Sequence, residues 1–174
     1  MRNILDTLKR EHDDMRALFT VLGSTPDDAT EERTRLLEEL EATLVPHAKW
    51  EELVFYPAFA ARATHDQLAM HGTAMQEHRA VEQSVLPDLH AAGIGSRQFL
   101  GSARALFHMI DHHAAEEESQ IFGAMRQLYN ASELAEFDEQ YEQWKDSTVS
   151  TAVLVHAKAK TAAKSLFRSP RAPG

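Results

Sequence analysis

The chain has 174 residues, 43% of them hydrophobic and 26% charged, a balance that fits one globular domain with a sizeable core. Its net charge of −9 excludes the basic face with which a general nucleic-acid binder neutralises phosphates, so no nucleic-acid partner is expected. Zero cysteines remove disulfides, thiolate metal sites and cysteine nucleophiles together.

The first helical segment is predicted over about Asn3 to Leu22, where Leu5, Leu8, His12, Met15, Phe19 and Leu22 alternate spacings of three and four and share one face. The opening "MRNILDTLKREHDD" puts charges where a signal peptide needs an apolar stretch, so a cytoplasmic location is expected. The loop "GSTPDDAT" ends this segment.

The second segment, about Thr30 to Ala63, carries the stripe Leu37, Leu40, Leu44, His47, Glu51, Val54 and Ala58, with a bend expected at Pro46. Its apolar run from Leu53 to Ala61, broken by Pro57, is too short to span a bilayer. The third segment starts near Asp66 and aligns Leu68, His71, Met75, His78, Val81 or Glu82, Val85 and Leu89 before the turn "AAGIGS". The fourth, from about Ser96, aligns Ala103, Leu106, Ile110, His113, Glu117, Ile121, Ala124 and Leu128. Asn130 is expected to cap its end and Ser132 to start the next helix.

The last segment carries Leu134, Phe137, Tyr141 and Trp144, then a basic, Ala-rich stretch. From Lys145 onward six basic residues face one acid, which leaves about −14 on the body once this +5 is taken from −9. An apolar stripe of Val149, Ala152, Val155, Ala159, Ala163 and Leu166 could touch anionic lipid, a partner helix or the acidic body itself; no stable membrane association is expected.

Nothing reads as a strand. Four long amphipathic segments with short loops imply an all-α, up-down-up-down antiparallel four-helix bundle over residues 1–130. A C-terminal helix over 131–167 would pack outside it, and 168–174 would form a disordered tail.

The core of such a bundle should be apolar, yet each stripe is interrupted: by His12, by His47 with Glu51, by His78, and by His113 with Glu117. Burying six such groups unpaired would cost several kcal/mol, comparable with a domain's stability margin. Four imidazoles and two carboxylates at one level suit first-row metal ions, and ten His in the chain point the same way. A His and a Glu four apart lie about 6 Å along a helix and on one face, so each pair can grip one centre and its carboxylate can bridge two. His12 or His78 taken singly reads as an ordinary core residue; the six in phase read as metal ligands. Phase also selects His113 over His112, Glu51 over Glu52, and Glu117 over Glu116 or Glu118. His71 stays open between an outer-shell donor, a pocket residue, a core His and a ligand. Glu82 stays open between a seventh ligand, a proton-transfer group and a solvated rim charge. Phe19, Phe55 and Phe107 lie near the ligand level, either drying the pocket or serving as plain core.

The motifs "LKREHDDM", "HAKWEELVFYP", "QEHRAVE" and "HHAAEEESQIF" together resemble the hemerythrin-like, HHE cation-binding family, in order, over roughly Met1 to Tyr129. The resemblance implies a four-helix bundle holding two non-haem iron ions, bridged by the two Glu and an oxo or hydroxo species. His12, His47, Glu51, His78, His113 and Glu117 are the implied ligands. The oxygen-carrying hemerythrins have a His pair four apart on the third helix and an Asp five after the His on the fourth. Here position 74 is Ala, position 82 is Glu, and the fourth helix uses Glu117 at +4. The resemblance therefore implies an open iron position, suited to dioxygen, peroxide or nitric oxide. Three functions follow: binding or sensing such a ligand, reducing peroxide or nitric oxide with electrons from an unidentified donor, or iron storage and metal-stabilised scaffolding.

Overall fold

The computed structural model describes residues 2–166, which form six helices and, among the described residues, no strand. Helix α1 is Ile4–Ser24. Helix α2 runs through Thr30–Trp50, a π-helical turn Glu51–Phe55, and Tyr56–Arg62. Helix α3 joins Leu68–Ala80, a π turn Val81–Val85, and Leu86–Ala91; α4 joins Arg97–Glu116, a π turn Glu117–Ile121, and Phe122–Leu128. Helices α5, Ala131–Lys145, and α6, Thr148–Leu166, follow.

Local chemistry sets the ends. Asn3 caps α1 by accepting from the Leu5 and Asp6 amides, and Ser96 caps α4 through the Phe99 amide. Asn130, not Ser132, starts α5, in a capping box with Glu133. Connections of about five residues make the first four helices antiparallel neighbours, with α1 and α3 each packed between α2 and α4. At the loop end, the fully buried Arg33 donates to Thr25 Oγ1 (2.8 Å), to the carbonyls of Thr25 (3.1 Å) and Ile94 (3.0 Å), and to Asp27 (3.2 Å), tying two loops together.

The C-terminal extension, expected as one helix, is two. Ser147 interrupts it: its hydroxyl accepts from the Ser150 amide and so starts α6. Helix α5 lies against α1 and α2, and α6 lies against α2 and α3. The expected stripe of α6 is corrected: Ala152, Val155, Ala159 and Ala163 are exposed, while Ser150 and Thr161 are buried with Leu154 and Ala157 half-buried between them. Lys160 pairs with Glu82 at 2.8 Å, so the basic segment caps the acidic body. Val149 and Leu166 side chains, and the tail 168–174, lie outside what is described. Among the described residues no helix is long and apolar enough to cross a membrane.

Up to the ligand level the inward stripes of α1, α2 and α4 are those the periodicity predicts. Beyond it the α1 stripe holds, α4 keeps Ile121 and Ala124 buried, and the α2 stripe slips. Val54 and Ala58 are only half-buried, and Phe55, Tyr56 and Phe59 are buried in their place. The π turn explains the slip: the Tyr56 amide bonds the Glu51 carbonyl five residues back, so one extra residue advances the register. The same bond, Leu86 to Val81 and Phe122 to Glu117, brings in Leu86 on α3 and Phe122 and Met125 on α4. Pro46 sits within a continuous helical run, and the departure from α geometry comes five residues later. At the start of α3, Leu68 is exposed and Ala74 buried, with His71 and Met75 half-buried.

Two apolar clusters result. One gathers Leu5, Leu8, Trp50, Phe55, Phe59, Phe122 and neighbours; the other gathers Met15, Phe19, Leu40, Leu89, Phe99, Leu106 and neighbours. The polar residues occupy the layer between them.

Candidate metal centre

Helices α1 to α4 each send one imidazole into that layer, and α2 and α4 each add a carboxylate. His12, His47, Glu51 and Glu117 bring four donor atoms within 4.8 Å of one another, and Glu51, His78 and His113 bring three. Glu51 belongs to both groups, as a carboxylate spanning two cations must. Its Oε1 is 3.0 Å from His47 Nε2 and its Oε2 is 3.5 Å from His78 Nε2. Glu117 Oε2 lies 3.4 Å from His12 Nε2, while the Nε2 atoms pair as His12–His47 and His78–His113, each at 3.1 Å. All six residues expected as ligands thus converge.

The donor set fits a pair of cations on a direct observation. Both oxygens of Glu51 and both of Glu117 are buried without a hydrogen-bond partner among the described residues. Four orphaned carboxylate oxygens are a heavy desolvation cost unless positive charge meets them.

A second ring of carboxylates aims the imidazoles. Glu11 of α1 holds His47 Nδ1 of α2 at 2.8 Å; Glu52 of α2 holds His78 Nδ1 of α3 at 3.2 Å. Glu77 of α3 holds His113 Nδ1 of α4 at 2.8 Å; Glu118 of α4 holds His12 Nδ1 of α1 at 3.0 Å. The ring closes with each helix orienting the imidazole of the next. A carboxylate on Nδ1–H leaves the Nε2 lone pair facing inward. Helix α5 reinforces the ring, since Tyr141 Oη–H (2.6 Å) and Lys145 (2.8 Å) both donate to Glu11.

Sequence reasoning missed these four carboxylates, setting Glu52 and Glu118 aside and not weighing Glu11 or Glu77. The signal was adjacency: Glu11 and Glu77 precede a His, and Glu52 and Glu118 follow an inward-facing Glu. Replacing Glu11 by Gln is expected to lower metal affinity about 10- to 100-fold, measured by competition with a chelator, without emptying the six ligand positions.

Tyr56 was missed too. Its Oη lies 3.3 Å from His113 Nε2 and 3.4 Å from His78 Nε2, and its ring meets that of His71 edge-on at 6.0 Å. His71 joins neither donor group and acts as packing for Tyr56. Glu82 sits between Lys160 and Lys49 (3.6 Å), a rim charge on the structure. His112 is 65% exposed on its side chain, against 12% for His113, so the phase argument chose the inward imidazole. Phe55 packs edge-on to Phe122, which itself stacks on His12; Phe19 and Phe107 pair with each other in the other cluster.

Electrostatics follow from burial. Burial opposes charge on Glu51, but the imidazoles, His47 foremost, hold its carboxyl below the usual range. Burial and the Glu51 charge push Glu117 well above it. Burial lowers His47, but Glu51 and Glu11 outweigh it and push the imidazolium up to about 10. Near neutral pH the metal-free cage therefore holds a proton on His47, and burial biases Glu117 toward its neutral form, so cations compete with protons there. Metal uptake in weak buffer is expected to release protons, and affinity to rise with pH; a pH electrode and chelator competition at several pH values check this.

Two cavities reach the layer. One, with about 70 Å³ for water-sized molecules, is lined by His47, His78 and His113 and by apolar Leu44, Val81 and Ile110, with Ala157 and Thr161 of α6 on its wall. The other, about 260 Å³, opens between α3 and α4 beside Ala74, His113 and Glu117.

The family model described as "Hemerythrin HHE cation binding domain" matches residues 3–125. The crystal structure of a hemerythrin HHE cation binding domain-containing protein from Mycobacterium kansasii is similar, with a TM-score of 0.73 and 26% identity, over 90% of this chain and 99% of that one. A curated protein from Nostoc sp. described as a DNA nickase is 27% identical over 143 residues; these are 82% of this chain and 37% of that protein's length.

Proposed function

The chain belongs to the hemerythrin HHE cation-binding domain family, and from that premise we propose that it is a non-haem di-iron protein that binds or senses dioxygen, peroxide or nitric oxide. The observation that carries this reading is the set of four partnerless oxygens on Glu51 and Glu117 beneath four converging imidazole nitrogens. His12 and His47, with Glu117, would hold one iron and His78 and His113 the other, with Glu51 shared. An iron pair supplies one-electron redox chemistry and open positions for small ligands.

The chain's own part is shaping and selection. The first cavity brings Leu44, Val81, Leu86 and Ile110 against the imidazoles of His47, His78 and His113, which gives a small ligand an apolar wall beside the metal-facing nitrogens. Burial, foremost, and the negative charge of Glu51 raise Tyr56 well above its usual range, so its Oη–H is a donor facing the space between His78 and His113. Tyr56→Phe is expected to leave iron content unchanged and to weaken ligand binding about fivefold, the worth of one hydrogen bond, in titrations with nitric oxide read by visible absorption.

A second reading, an enzyme reducing peroxide or nitric oxide, is supported by the two separate cavities, which would let a substrate and a product take different paths. Nicking of DNA belongs to a protein of which this chain matches about a third, and the net charge of −9 argues against a phosphate backbone as partner. Metal analysis with visible spectra of aerobically purified protein tests the proposal, and about two irons per chain are expected. Sustained peroxide turnover would select the enzyme; a reversible spectral change without turnover would select the sensor. Protein without iron that takes up none on reconstitution would overturn both.

A further inference from the structure

Helix α4 carries its His-x3-Glu spacing twice, one residue out of step. His113 and Glu117 face the cage. His112 and Glu116 leave the helix on the solvent side, with His112 Nε2 3.5 Å from Glu116 Oε1. Across the groove, Glu77 of α3 stands between the two pairs: its Oε2 is 2.8 Å from His113 Nδ1 and its Oε1 is 3.9 Å from His112 Nε2. One nitrogen and two carboxylate oxygens from Glu77, His112 and Glu116 lie within 4.8 Å of one another.

We infer that Glu77, His112 and Glu116 form a second, surface site for a divalent transition-metal cation, from which cations pass to the buried cage. One imidazole and two carboxylates, the remaining positions filled by water, suit Fe²⁺, Mn²⁺ or Zn²⁺. The route is a separate observation. The 260 Å³ cavity between α3 and α4 is lined by Glu77 and Glu116 and equally by His113 and Glu117. Glu117 is 1% exposed with both oxygens unpartnered among the described residues, so the space joins the two surface carboxylates, Glu77 and Glu116, to a buried acceptor in want of a cation. Ala74, with only a methyl group, leaves that wall open.

The competing account is a solvated pair on one helix, worth a few tenths of a kcal/mol. Such a pair would need neither a third donor from another helix nor a cavity behind it leading to Glu117. Glu77 is the hinge of the arrangement, because a single carboxylate addresses both imidazoles. Two carboxylates at the mouth of a cavity in an acidic protein also concentrate cations there and speed their capture. The delivery role rests on the di-iron reading, whereas the surface site does not.

The test uses metal-free full-length protein and the variants His112→Ala and Glu116→Gln, titrated with Mn²⁺ and read by the free-ion electron paramagnetic resonance signal. The wild type is expected to bind about three ions per chain and each variant about two. Under limiting Fe²⁺, uptake measured after rapid desalting is expected to slow about tenfold in both variants, with the same final iron content. Retention of the third ion by both variants overturns the site. Its loss with an unchanged uptake rate overturns delivery. If the cage takes no metal at all, the count still decides: one ion in the wild type and none in His112→Ala supports the surface site while sinking the di-iron reading.

Discussion

Glu51→Gln protein is expected to leave purification with no bound iron, against about two per chain for the wild type, as measured by elemental analysis. Glu51 is fully buried and is the one residue common to both donor groups. The amide keeps the side chain's size and shape, so the helices should stay packed and far-UV circular dichroism unchanged. What is lost is the negative charge facing His47 on one side and His78 on the other. A neutral amide presents one carbonyl oxygen and an NH₂ group that cannot ligate a cation, so the bridge fails at one end whichever way it turns. His112→Ala gives the contrast, retaining its final iron content because that side chain lies outside both buried donor groups. A Glu51→Gln protein that still holds two irons would show the orphaned oxygens to have another purpose.

Removing metal from the wild type is expected to lower stability by about 4 kcal/mol when free cation stands near a thousand times its dissociation constant. For a domain of this size that is a fall in Tm of roughly 8–16 °C by calorimetry. The layer explains the size of the effect. It separates two apolar clusters, and without cations two buried carboxylates must share the space. Burial opposes charge on one of them, Glu117, while the imidazoles favour charge on Glu51, an arrangement that folds but leaves polar atoms unmet. The drop should vanish in Glu51→Gln, whose Tm should not respond to chelator. An equal chelator response in both proteins would place the stabilising metal elsewhere.

The two experiments separate the cage from its supports. Glu11→Gln, acting through His47 Nδ1, weakens binding without abolishing it, because the ligand itself remains. Tyr141 and Lys145 extend that support to α5, so the C-terminal extension contributes to aiming an imidazole on α2.

The residues alone determined the bundle, the inward stripes of α1, α2 and α4 down to the ligand level, and the choice of His113 over His112, because helical period and burial of apolar side chains are local and repetitive. The two segments from His47 and His113, each with Glu at +4 and +5 and an aromatic at +9, also proved to be built alike: each holds a π turn from +4 to +8, and Tyr56 and Phe122 begin the helix beyond it. In α2 that turn is where periodicity stopped serving, since one added residue moved the burial from Val54 and Ala58 to Phe55 and Phe59. Only the tertiary structure decided that Glu11, Glu52, Glu77 and Glu118 each hold the imidazole of a neighbouring helix, and that α6 presents Ser150 and Thr161 rather than Val155 to the body. The reason is physical: a residue's phase on its own helix says which way it points, but what it meets there depends on how the helices cross.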